Sequence, residues 1–154
     1  MNFELFSPLV SAIFVFFLGF FVWKKGKKER VNITFAFFAL AITIWMFGTF
    51  MMFLNKNNTS NIIFWDKFVY IGVVYVPVVM LDFGLALVKK RSRKGKTALT
   101  FGYILSTLFL MLIPTKYFVN DVFIYKWGAH TKAQFFHHVF LVYFTVYLIS
   151  WFVI

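Results

Sequence analysis

Residues 62–96 read IIFWDKFVYIGVVYVPVVMLDFGLALVKKRSRKGK. From Ile62 to Val88 only Asp66, Lys67 and Asp82 are charged, and the run then meets Lys89, Lys90, Arg91, Arg93, Lys94 and Lys96. At about 1.5 Å of rise per residue, some 27 residues (roughly) make a helix longer than a hydrocarbon core of ~30 Å, so the segment reads as a membrane span. Dense lysine and arginine resist translocation, which assigns the basic end to the cytoplasm. Pro77, near the middle, lacks an amide hydrogen and predicts a kink there.

Composition extends this reading to the whole chain. Of 154 residues 62% are hydrophobic, with 25 Phe, 7 Tyr and 5 Trp, and the mean hydropathy is +0.81. A soluble domain of this size cannot hide so much apolar surface, so lipid has to cover it. The net charge of +11 would suggest nucleic acid in a soluble domain, but 11 of the 16 basic residues lie in two short segments. Anionic lipid headgroups are the partners this pattern fits, and no nucleic-acid partner is expected. The chain has no cysteine, which excludes disulfides and thiolate chemistry within it.

Working outward in both directions, the same logic divides the chain into a bundle of five transmembrane helices, all-α, near residues 8–23, 31–54, 62–88, 97–113 and 135–154, forming one domain over 1–154. The first apolar run has its positive charges after it rather than before, which fits a retained helix and not a cleaved signal peptide. Trp23 stands where an interfacial anchor would. Lys24, Lys25, Lys27, Lys28 and Arg30 form one basic loop and Lys89 to Lys96 the other, 11 basic residues in all; the remaining loops hold Lys56, Lys116, Lys126 and Lys132. That asymmetry puts the N-terminus outside and the end of the fifth span inside. Asn57-Asn58-Thr59 matches the glycosylation sequon, in a loop too short and too close to the bilayer to favour its use.

The fourth span carries Gly102 and Ser106 on one face, a small-xxx-small pair that allows close helix contact, and Pro114 ends it. Between the fourth and fifth spans, Lys116–Val119 and Val122–Tyr125 are β-prone and are joined by Asn120-Asp121, a pair suited to a tight turn, which predicts a small extracytoplasmic β-hairpin. Ile154 directly follows Trp151, Phe152 and Val153 with no basic residue to hold that end at the headgroups, as expected of a piece of a longer protein.

Few residues can carry chemistry. Asp82 lies about seven residues, or ~10 Å, from the end of its span, where a carboxylate costs a few kcal/mol unless it is paired, hydrated or protonated. One reading makes it, with Pro77, an intramembrane switch or ion relay; the other pairs it with Lys89, seven residues on along the same face. Trp65 and Asp66 at the outer mouth of the third helix are candidate ligand contacts, with Asp66 also placed to complement the helix dipole. His130, His137 and His138 cluster near the outer end of the fifth span and are further candidate extracytoplasmic ligand contacts. Adjacent histidines diverge by ~100° on a helix, so no metal site is expected from them. Glycine-rich phosphate loops, zinc-protease helices and hydrolase nucleophile elbows are missing from the sequence, and neither a cofactor nor catalytic activity is expected.

A set of short aromatic motifs resembles the N-terminal multi-helix input region of bacterial sensor histidine kinases, a region usually drawn with seven helices. It comprises Asn32, Phe37-Phe38-Ala39-Leu40 and Ile44-Trp45 in the second span, then Ile63-Phe64-Trp65, Phe68 and Tyr70-Ile71-Gly72, then Pro77 and Phe83. Tyr125 and Gly128 before an aromatic-rich last helix fit more loosely. The resemblance implies a membrane-embedded sensory input module that passes a signal to a cytoplasmic output domain and dimerises through it; Trp45, Trp65, Tyr70, Gly72 and Pro77 would be structural positions. The chain departs from the pattern in showing five spans and neither a dimerisation helix nor an ATP-binding domain, so kinase activity is not carried over. The alternative reading is a small transporter or carrier subunit with Asp82 in an ion pathway. Transporter cores tend to show paired repeats and broken helices, and no internal repeat is evident here.

Overall fold

The computed structural model describes residues 3–89, 92–125 and 129–152. Its elements are α1 (Phe3–Lys25), α2 (Arg30–Leu54), α3 (Thr59–Val73), α4 (Val76–Leu87), α5 (Arg93–Leu112), β1 (Val119–Ile124), β2 (Ala129–Ala133) and α6 (Phe135–Phe152). Among the described residues five helices are long and apolar enough to cross a membrane, α3 and α4 counting together as the single span Thr59–Leu87. The protein is an all-α multi-pass membrane bundle with one small hairpin. Phe14, Phe17 and Phe21 of α1 lie exposed, as they do on a helix whose solvent is hydrocarbon.

The expected kink is a full break, and backbone hydrogen bonds show why. Without an amide hydrogen Pro77 cannot bond to the Val73 carbonyl, so the ladder fails one turn before it. The Val74 amide still reaches Tyr70 O (3.1 Å), the Tyr75 amide tightens back onto Gly72 O (3.0 Å), and regular bonding resumes with Val79 on Tyr75 O (3.0 Å). Pro77 thus sits in the first turn of α4, where its missing donor costs nothing.

Other boundaries move outward because side chains cap them. Asn58 accepts from the Asn61 amide (3.1 Å) and starts α3 at Thr59. Ser92 accepts from the Gly95 amide (3.0 Å) and starts α5 at Arg93, four residues ahead of the expected Thr97. Arg93, Lys94 and Lys96 therefore occupy the first turn of a helix rather than a loop, against the dipole but at the polar end of the span. Lys90 and Arg91 lie outside the described residues.

Small residues set the packing. α2 is central, with α1, α3 and α4 against it. A Cβ on Gly72 would stand 2.4 Å from Ala41 O, so α3 meets the backbone of α2 directly. On α5, the Gly102–Ser106 pair makes the anticipated contact: a Cβ on Gly102 would fall 2.6 Å from Tyr147 of α6, and Ser106 is wholly buried.

The hairpin forms in a different register from the predicted one. β1 and β2 pair antiparallel, with Val122 opposite Thr131 and Phe123 opposite His130, and the pairing slips between Val119 and Asp121. Asn120-Asp121 is thus an irregularity inside β1 and not the turn of the hairpin; Lys126, Trp127 and Gly128 lie outside the described residues. The cause is burial. Val119 and Val122 are both inward, an odd spacing that a regular strand would send to opposite faces, and one extra residue restores the alignment. Asp121 gains a salt bridge to Lys132 (2.8 Å). That hydrogen bond, helped by the Val122 amide, holds its carboxyl below the usual carboxylate range.

Candidate functional site

Polar side chains form three knots along the interior of the bundle. The first lies at the basic end. Asp82 on α4 accepts from Arg30, the first residue of α2, on one carboxylate oxygen and from the Tyr103 hydroxyl of α5 (3.1 Å) on the other. Arg30 and Asp82 are 52 positions apart in the chain, and their side chains are 40% and 13% exposed. The pairing with Lys89 expected from helical spacing does not occur. α4 ends at Leu87, and Lys89 takes a left-handed conformation (φ 53°) that leaves the helical face. Arg30 is correspondingly a bundle residue and not only part of a headgroup-facing loop. Both basic segments lie at this end, with Lys27 over the Trp23 ring at 5.3 Å.

The second knot sits beside the break. Ser106 Oγ donates to Val74 O (2.7 Å) and lies 2.8 Å from the Tyr143 hydroxyl, which has Gly102 O as a further acceptor at 3.3 Å. One turn further along α6, Tyr147 donates to Ala98 O (2.7 Å). A carbonyl at the helix interruption thus receives a side-chain donor, as backbone in a hydrocarbon setting requires.

The third knot is at the hairpin end. The Tyr70 hydroxyl lies 2.6 Å from His137 Nε2, and both rings pack edge-on against Phe118, which is fully buried beneath β1. Asp66, 2% exposed, is one turn before Tyr70 on the inner face. It stands at the eighth position of α3, too far in to complement the first turn. Lys67 donates to Pro114 O (2.9 Å) and ties this end of α3 to the end of α5.

The remaining sequence candidates are dispersed. Trp65 stacks edge-on with Phe47 of α2 and with Phe64 and Phe68 of its own helix. His130 on β2 and His138 on α6 are exposed, while His137 turns inward. Among the described residues no cluster of three His or acidic side chains could hold a metal ion. Pro77 is buried at the break, bracketed by Tyr70 above and Asp82 below. Tyr103, Tyr143 and Tyr147 were not singled out by sequence reasoning, which placed Arg30 in a basic loop and Ser106 in a helix contact without their hydrogen bonds. A usable signal exists for α6, where His137, Phe140, Tyr143 and Tyr147 recur every third or fourth residue and are its buried positions.

This arrangement can hold two halves of one span in different settings. A family model described as the N-terminal 7TM region of histidine kinase matches residues 7–154. No curated protein and no solved structure matches the chain.

Proposed function

The chain belongs to the family of N-terminal 7TM regions of histidine kinases, a membrane sensory input region and not a catalytic domain, and from that premise we propose that it passes a signal through its broken third span to a cytoplasmic output domain. The observation that carries this reading is the attachment of Asp82, just past the break, to Arg30 of α2 and Tyr103 of α5. α3 is held to the hairpin and α6 through Tyr70 and His137, while α4 is held to α2 and α5 through Asp82. The two halves are joined through Val74 and Tyr75, where the helical ladder is already interrupted, and both also pack on α2. A stimulus at the hairpin or between the helices can therefore tilt α4 against α3 without unravelling either, and Asp82 converts the tilt into movement of α2 and α5. Packed elements of this kind settle into discrete arrangements rather than deforming continuously.

Lys24, Lys25, Lys27, Lys28, Lys89, Lys94 and Lys96 lie at the same end as this clamp, and anionic headgroups there would resist its displacement, with a contribution of about 1 kcal/mol for each basic residue near the surface. Pairing into a homodimer through the output region would let two such inputs act together. Asp82→Asn and Pro77→Ala in the full-length protein test the reading. Autophosphorylation of the attached kinase should lose its dependence on stimulus in one or both variants. A stimulus response in both variants that matches the parent protein's would reject it.

A further inference from the structure

A cavity of about 420 Å³ opens where the third span breaks. Its walls are Ala41 and Ile44 of α2, Gly72 of α3, and Val79 of α4, with Tyr75 and Tyr103 completing an almost wholly apolar lining. The cavity follows from the fold. Gly72 brings α3 onto the backbone of α2, the helical hydrogen bonding is interrupted just beyond it, and the small side chains of Ala41 and Gly72 leave space there. Its volume lies in the range of small-molecule sites, ~300–1,000 Å³.

Two features say what can enter. Phe37, Leu40 and Ile71 form the mouth and are 57%, 44% and 40% exposed, and in a membrane span that exposure is to hydrocarbon. The backbones of Tyr75, Tyr103 and the Leu40–Ile44 turn all fall near the middle of their spans, Thr59–Leu87, Arg93–Leu112 and Arg30–Leu54, so the mouth of the cavity lies near mid-depth, and the Tyr103 hydroxyl reaches from there toward the Asp82 clamp. A charged molecule is disfavoured there. Tyr103 already donates to Asp82, and its oxygen can still accept; the Tyr75 hydroxyl lies 3.3 Å from the Thr107 hydroxyl.

We propose that this cavity is a binding site for a neutral, lipid-soluble small molecule carrying one hydroxyl or similar donor, which enters sideways from the bilayer between α2 and α5 and hydrogen-bonds to Tyr103. The inference deepens the sensory reading, on which its meaning as a stimulus rests: the ligand's donor sits on the same hydroxyl that holds Asp82, so occupancy acts on the clamp directly.

Photolabelling tests it without knowledge of the natural ligand. The full chain in phosphatidylcholine–phosphatidylglycerol bilayers is exposed to a trifluoromethyl-diazirinyl benzyl alcohol, and separately to the analogue with methyl in place of hydroxymethyl. The alcohol should label Ile44, Tyr75 and Tyr103 saturably. Leu40→Trp combined with Ile71→Trp, both on the lipid-facing rim, should abolish that labelling, and Tyr103→Phe or the methyl analogue should weaken it about fivefold, the loss of one hydrogen bond. Unsaturable labelling spread over the exposed phenylalanines of α1, or labelling indifferent to Tyr103→Phe, overturns the proposal. The two readings separate cleanly: absent labelling with a kinase output still altered by Asp82→Asn defeats the ligand site alone, whereas saturable labelling with an indifferent output defeats the sensory reading.

Discussion

Removing the charges that join α2 to α4 should reveal a measurable coupling between them. Arg30 donates to Asp82, and Tyr103 occupies the second oxygen, so Asp82→Asn keeps the shape and one hydrogen bond while removing the charge. Hydrogen bonds to charged groups contribute about 1.5–3 kcal/mol. Arg30 is 40% exposed against 13% for Asp82, and screening at the headgroup level lowers the pair toward the surface value, which leaves a coupling of about 1–2 kcal/mol. A cycle of Arg30→Gln, Asp82→Asn and the double variant isolates it, with unfolding in bicelles followed by steric trapping. The single variants should each destabilise the bundle, and the double variant by less than their sum. A coupling below about 0.3–0.5 kcal/mol, the scatter of independent sites, would refute the clamp.

Other perturbations separate the parts of the fold. Gly102→Leu should weaken the α5–α6 contact strongly, because a Cβ alone would stand 2.6 Å from Tyr147; thermal inactivation of the variant measures it. Tyr70→Phe should cost about 1 kcal/mol by stranding His137 Nε2 in a buried position, and the same unfolding assay reads the loss. Pro77→Ala supplies a donor for Val73 O, so spin labels at the two ends of the third span should move apart as it straightens. The hairpin should loosen in acid. Asp121 has its carboxyl pKa lowered from the ordinary 3.8 chiefly by the Lys132 hydrogen bond, so its contribution is complete above that ordinary value and is lost as pH falls through the lower, folded one. Amide exchange of Val122 and Thr131 should rise in that acid range, and Lys132→Met should remove the dependence.

What the sequence makes legible here is what the bilayer dictates. An apolar run has to be long enough to cross, backbone groups have to be satisfied within it, and basic residues mark its ends, so the five spans and the interruption near Pro77 can be read directly. The Gly102–Ser106 contact is legible for a related reason, since small residues four apart have few other uses on a lipid-exposed helix. The partner of Asp82 is not legible from local spacing. The Lys89 reading assumes a helix that continues past Leu87, and the true partner lies 52 positions away on a helix whose rotation only the packing decides. The hairpin shows the same limit: Asn120-Asp121 suits a turn by local propensity, but burying Val119 and Val122 together outweighs it. The tyrosines were passed over because an aromatic residue in a lipid-facing chain needs no polar explanation until its hydroxyl is seen to find one.

Because the chain contains no cysteine, single introduced thiols report their side of the membrane without background. Lys25→Cys, Lys94→Cys and Asn57→Cys in intact cells, probed with a membrane-impermeant maleimide, give the most direct check on a bundle whose two basic segments share the cytoplasmic end. Asn57→Cys should be labelled from outside, and the other two only after the membrane is opened. Labelling of Lys25→Cys and Lys94→Cys from opposite sides would contradict the bundle and the clamp together.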